Sequence, residues 1–131
     1  MRRLLDTSAY SSFKRGHLPT LDLIRQSTEV ILPAIVAGEL IAGFRWGARY
    51  QTNYDELKQF IANPGVRFVS ANLATADHYG QIYSNLRRQG TPIPTNDMWI
   101  AAHAIENAAE LVTLDRHFQN IDDLSLSLID I

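Results

Sequence analysis

Short apolar runs alternate with longer stripes of helical spacing along this chain, and that alternation predicts its architecture. Arg2–Leu5 is a brief apolar run that stops at Asp6, and Thr7–Arg15 is a polar stretch with Tyr10 and Phe13 three apart. Gly16 follows it, as the closing glycine of a short helix does. Leu21–Gln26 reads as a further helical turn or two, and Glu29–Leu32 as a strand. Pro33 sits where a helix takes a first-position proline, ahead of an apolar helix over Ala34–Trp46. Tyr54, Leu57 and Ile61 share one stripe of a helix over Tyr50–Ala62, ended by Asn63, Pro64 and Gly65. Val66–Val69 is strand-like, and Leu73–Gln89 is a helix with Gly90 as its stop. Gly90–Asn96 is a proline-punctuated loop, Asn96–Ala108 a helix, Glu110–Leu114 a strand, and Leu124–Ile131 one more.

Strand and helix in alternation predict an α/β fold, a parallel sheet covered on both faces by right-handed crossovers. In such sheets ligands gather beyond the carboxyl ends of the strands, where the strand order reverses. A length of 131 residues, 46% of them hydrophobic, fits a single domain over 1–131 with one core. The absence of cysteine excludes a disulfide scaffold, a cysteine-ligated metal site and thiol catalysis. A net charge of −2 excludes a polybasic nucleic-acid arm. The opening MRRLLDTSAY lacks the apolar stretch of a signal peptide, and no run approaches the roughly 18 apolar residues of a membrane span. The expectation is a cytoplasmic protein with no membrane contact.

Four acids stand out against this frame. Asp6 and Asp115 each follow a strand directly, where an aspartate ordinarily starts a turn or caps a helix. Glu39 shares its helix face with Ile35, Val36 and Gly43, so it projects from an apolar or small-residue stripe. An unpaired carboxylate on a covered face costs several kcal/mol, so a positive group is expected to meet it, with Arg45 or Arg49 at a rim as the plain alternative. Asp97 heads a stripe through Ile100, Ala101 and Ala104; a first-turn acid capped by Thr95 or Asn96 accounts for its type but not for its packed position. Brought together, the four would repel and raise one another's pKa unless a cation neutralised them. A hard divalent ion, Mg²⁺ or Mn²⁺, takes such oxygen ligands together with water and a substrate phosphate.

LLDTSAY, the PAIVAGEL helix, PTNDMWIAA and LVTLDRHF, in this order, resemble the PIN domain, in particular the VapC-type toxins of bacterial toxin–antitoxin pairs. The resemblance covers the whole chain. It implies a three-layer α/β/α fold with a five-stranded parallel sheet in the order 3-2-1-4-5, which would set Asp6 and Asp115 side by side. It implies an acidic quartet at Asp6, Glu39, Asp97 and Asp115, acting as metal ligands and catalytic groups, with Ser8 and Thr113 as hydroxyl supports. The implied activity is a Mg²⁺- or Mn²⁺-dependent endoribonuclease that leaves a 5′-phosphate and a 3′-hydroxyl. The implied partners are an RNA substrate, a cognate antitoxin and a second copy in a homodimer; Phe44, Trp46 and Tyr54 are docking candidates for the antitoxin, with core packing as their alternative.

The charge balance permits RNA: fourteen acidic residues less these four leave ten against twelve basic, or +2 elsewhere. Arg116, next to Asp115, is the first choice for a substrate phosphate, and Lys14, Arg15, Arg45 and Arg49 are further candidates. Trp46 and Trp99 read as core or interface residues before they read as base-stacking platforms. His103 and His117 lie near the site in sequence, but no histidine spacing supports a zinc hydrolase. Two rivals remain. One is a PIN-like module that binds protein or RNA without cutting, and the other is an aspartate-dependent phosphatase-like enzyme. The latter needs a second acid where Ser8 stands, and a placed lysine from only Lys14 and Lys58.

Overall fold

The computed structural model describes residues 1–130. Its sheet has the strand order β3-β2-β1-β4-β5, all pairs parallel, formed by β1 (Arg2–Leu5), β2 (Glu29–Pro33), β3 (Val66–Val69), β4 (Glu110–Thr113) and β5 (Leu126–Leu128). Leu4, Leu5, Ile31, Leu32, Leu111 and Val112 in the three central strands are all fully buried. Covered on both faces, these strands read as unbroken apolar runs rather than as alternation. The edge strand β3 differs, with Arg67 and Phe68 exposed.

The helices α1 (Thr7–Lys14), α2 (Leu18–Gln26), α3 (Ala34–Trp46) and α4 (Tyr50–Ala62) fill the crossovers on the β1–β2–β3 side. There Tyr10, Phe13 and Phe60 close a ring cluster, with centroids 5.3–6.2 Å apart. Helices α5 (Leu73–Gln89) and α6 (Thr95–Glu106) pack on each other in the return crossover from β3 to β4. Right-handed winding places that pair on the opposite face. Fully buried Ala101, Ala102 and Ala104 let α6 approach the sheet closely. A short 3₁₀ helix, Arg116–Asn120, buries Phe118 and leads toward β5.

Sequence and structure part at several element ends. Helix α2 begins at Leu18, because Pro19 is accommodated in the first turn, where its missing N–H costs nothing. Pro33 ends β2 and caps α3 instead of opening it. Helix α6 stops at Glu106, ahead of Ala108 at φ 50°. The last strand is only Leu126–Leu128, and Ile131 of the predicted Leu124–Ile131 lies outside the described residues.

Gly90 closes α5 in the left-handed region at φ 73°. Gly90→Ala is expected to cost about 1 kcal/mol through backbone strain alone, since nothing crowds an added Cβ there. A shift of the urea midpoint at unchanged slope checks it.

Candidate active site

In this strand order β1 and β4 are neighbours where the winding reverses, and their register sets Leu5 opposite Val112. The residues that follow each strand therefore emerge together. Asp6 leaves β1 with an extended backbone and caps α1: its Oδ1 accepts the Ala9 N–H at 2.8 Å and the Ser8 hydroxyl at 2.7 Å. Its Oδ2 accepts the Thr113 hydroxyl at 2.5 Å. Only 5% of Asp6 is exposed. Burial pushes its pKa above the ordinary carboxylate range, the bonds from Thr113, Ala9 and Ser8 pull it back, and the Asp115 charge raises it again. Ser8 and Thr113 thus both touch Asp6, and the Ser8 hydroxyl also accepts the Leu114 N–H at 3.1 Å, tying α1 to the end of β4.

Asp115 caps the 3₁₀ helix through Oδ1, which accepts the His117 N–H at 2.9 Å and lies 3.0 Å from the His117 Nδ1. Its own N–H donates to the Thr113 hydroxyl oxygen at 3.0 Å. Thr113 therefore links the two strand-end aspartates.

Glu39 is half-buried on α3, and its partners are neutral. Oε1 accepts the Thr7 hydroxyl at 2.6 Å, and Oε2 accepts the Asn96 side-chain amide at 3.2 Å. Among the described residues neither Arg45 nor Arg49 makes an ion pair with it: Arg45 turns to Tyr50, donating to its hydroxyl at 3.1 Å and lying 4.5 Å from the ring centroid. Asp97 stands in the first turn of α6. Pro94, not Thr95 or Asn96, occupies the cap position, so no side-chain cap precedes it. Its pKa is pushed up to about 6, first by burial and then by the charges of Asp115, Glu39 and Asp6, with His117 pulling it down. The charges of all three other acids thus bear on Asp97. Among the described residues no hydrogen bond helps to hold the Asp97 charge.

Among the described residues no three acidic or imidazole groups stand already arranged around one point. Three of the four carboxylates are held instead by protein donors. The donor set still suits a hard divalent cation: it is all oxygen, it is mutually repulsive, and its member Asp97 lacks a proton donor of its own.

Other candidates lie elsewhere. Arg116 points to Asp130 at 3.7 Å, and Lys14 is paired with Glu56 at 2.8 Å. Trp46 is 94% exposed rather than in the core, while Trp99 stacks on Tyr79 at 4.2 Å. His103 is buried in α6, and His117 is the imidazole that reaches the acids. Thr7, and the bond from Asn96 to Glu39, are not visible in the sequence, where Asn96 reads only as a cap candidate. The available signal was position alone, since each is the chain neighbour of a site acid.

Comparison with known proteins agrees with this geometry. The model of the PIN domain family matches residues 3–124. The chain is 31% identical to Ribonuclease VapC1 of Haemophilus influenzae strain R2866 over 96 residues, covering 72% of this chain and 70% of the relative. It is 27% identical to Ribonuclease VapC2 of Rickettsia felis over 128 residues, 94% of each. The structure of VapBC-1 from nontypeable Haemophilus influenzae superposes with a TM-score of 0.85 at 28% identity, covering 98% of both chains. VapBC2 from Rickettsia felis, bound to a promoter DNA fragment, gives 0.86 at 24% identity over 99% of this chain and all of that one. With the sheet order, the strand-end acids and these relatives in agreement, the chain belongs to the PIN domain family, among its VapC-type members.

Proposed function

We propose that this chain is an endoribonuclease, the toxin of a toxin–antitoxin pair, and that Asp6, Glu39, Asp97 and Asp115 are its catalytic, metal-binding acids. The observation that carries this reading is the pair of strand-end aspartates at the point where the winding reverses: Asp6 and Asp115 leave neighbouring strands and share the Thr113 hydroxyl. Half-buried Asp97 is harder to ionise, through burial first and then through the charges of Asp115, Glu39 and Asp6, and a cation would relieve that repulsion. The ribonuclease names of the sequence relatives support the substrate class, and the VapBC complexes support an antitoxin partner. A homodimer in the cytoplasm belongs to the same proposal and rests on family likeness alone.

Asp6 and Asp97 are the first-choice ligands for Mg²⁺ or Mn²⁺, with Glu39 and Asp115 completing the acidic set. When bound, such an ion lowers the pKa of water and offsets charge building on phosphate oxygens. The chain's own groups supply orientation. Thr113, Ser8 and the Ala9 N–H fix Asp6, and Thr7 and Asn96 fix Glu39. Asp115 is fixed through Oδ1 by His117, and among the described residues its Oδ2 has no protein donor, which leaves that oxygen to orient an attacking water. In-line attack on phosphorus breaks the bond to the 3′-oxygen and leaves a 5′-phosphate and a 3′-hydroxyl. Arg116 remains the proposed phosphate contact, and must then exchange its exposed Asp130 partner for substrate.

The non-cutting module is disfavoured because a binding surface gains nothing from four repelling acids. The phosphatase-like reading is disfavoured because Ser8 holds Asp6, and Lys14 is engaged by Glu56. Induced expression in a bacterial host separates the readings. The wild-type chain is expected to arrest growth and generate new RNA 5′-phosphate ends, Asp6→Asn to do neither, and a small antitoxin encoded beside it to restore growth. Unimpaired growth with an unchanged RNA end map would favour the binding module.

A further inference from the structure

Helix α5 presents Tyr79, Tyr83 and Arg87 at successive i, i+4 positions, one stripe about 12 Å long. Trp99 of α6 extends it: Trp99 and Tyr79 stack at 4.2 Å and 20°, and Tyr79 and Tyr83 at 6.3 Å and 26°. Each neighbouring pair of rings is thus stacked, and Tyr83 at the open end is 44% exposed. Arg87 donates to the Tyr83 hydroxyl at 3.2 Å, which holds its guanidinium beside the last ring. Unlike Arg2, Arg3 and Arg67, it makes no ion pair among the described residues.

Beyond this end lies a cavity of about 320 Å³, bounded by Tyr83, Arg87, Pro92, Ile93, Thr95 and Met98. Its walls are mostly apolar. Thr95 is two residues before Asp97, so the cavity reaches the helix start that carries this one of the four acids. An aromatic face, an apolar recess and an unpaired guanidinium match the two chemistries of one nucleotide, a stacking base and a phosphate. An apolar protein surface would use the rings but leave Arg87 unmatched.

We propose that Tyr83, Arg87 and this recess form a nucleotide subsite, which takes an unpaired base flanking the phosphate that is cut. The proposal rests on the ribonuclease reading for its substrate, but the recess is lined by none of the four acids. Its purpose is to hold a single strand in place, so it favours loops and unpaired segments over duplex RNA.

Fluorescence anisotropy of a labelled short oligouridine, in chelator so that affinity is read without turnover, tests it. Tyr83→Ala is expected to weaken binding about 10-fold and Tyr83→Trp to keep it near wild type. Arg87→Gln is expected to weaken binding and flatten its salt dependence. Equal affinity for wild type, Tyr83→Ala and Arg87→Gln, each folded by circular dichroism, would overturn the subsite. So would a Tyr83→Ala protein that loses a dimer by light scattering with unchanged RNA affinity, which assigns the face to a second copy. If the wild type binds through Tyr83 but cuts no RNA with Mg²⁺ or Mn²⁺, the subsite is upheld and the nuclease reading fails. If the wild type cuts and Tyr83→Ala binds and cuts equally well, the subsite alone fails.

Discussion

Asp97→Asn is expected to lower RNA cleavage at least roughly 100-fold while making the metal-free protein more stable. The two effects have one cause. The Asp97 carboxyl is half-buried, meets no hydrogen-bond donor among the described residues, and feels the charges of Asp115, Glu39 and Asp6. Its pKa in the fold is about 6, against an ordinary value of 3.8. A raised acid binds its proton more tightly when folded, so stability falls as pH rises from about 4 to about 6, and the full penalty is present above that. Asparagine removes the charge at nearly constant shape. Allowing for solvent screening, the gain near neutral pH is about 1–2 kcal/mol. Thermal melts of both proteins in chelator, across that pH window, read it as a difference that closes toward pH 4. Buried His103 is held below the usual imidazole range by burial, against the pull of Glu106, and erodes stability as pH falls below about 6.5. That contribution is common to both proteins and cancels in the comparison.

Thr113→Val is expected to do the opposite, reducing stability and activity together. Thr113 is fully buried and serves two partners, donating to Asp6 Oδ2 and accepting the Asp115 N–H. Valine keeps the volume but leaves both groups short of a partner, at a cost of about 1–3 kcal/mol. The Thr113 bond is the largest influence holding the Asp6 pKa down, so its loss drives that pKa further up. Cleavage should therefore fall more at pH 6 than at pH 8, because Asp6 must be ionised to work. Thr113→Ser keeps the hydroxyl and should retain most of the activity. A denaturation midpoint and two pH–rate profiles decide the matter. Equal profiles for valine and wild type would show that Asp6 does not depend on this hydroxyl.

Much of this was legible in the sequence because the relevant signals are local. Short apolar runs such as EVIL and ELVT, bounded by turn residues, read as strands buried on both faces, and the glycines at 16 and 90 sit at the positive φ that ends a helix. The acids were found because each interrupts a pattern. Their hydrogen-bond partners were not, because a contact such as Asn96 to Glu39 spans 57 positions and depends on how α3 meets α6. The plain alternative for Glu39, pairing with Arg45 or Arg49, is absent among the described residues for a related reason: charge arithmetic does not foresee that Thr7 and Asn96 hold the carboxylate with neutral donors. Residue type leaves Trp46 between core and interface, and the last turn of α3 carries it into solvent, which excludes the core.

The measurement closest to the central claim is cleavage of a single-stranded RNA by the purified chain with Mg²⁺ or Mn²⁺, after chelation, and after the ion is returned. The account predicts that chelator stops cleavage, that either ion restores it to the wild type, and that neither restores it to Asp97→Asn. Cleavage at the same rate in chelator, or full activity in Asp97→Asn, would contradict it.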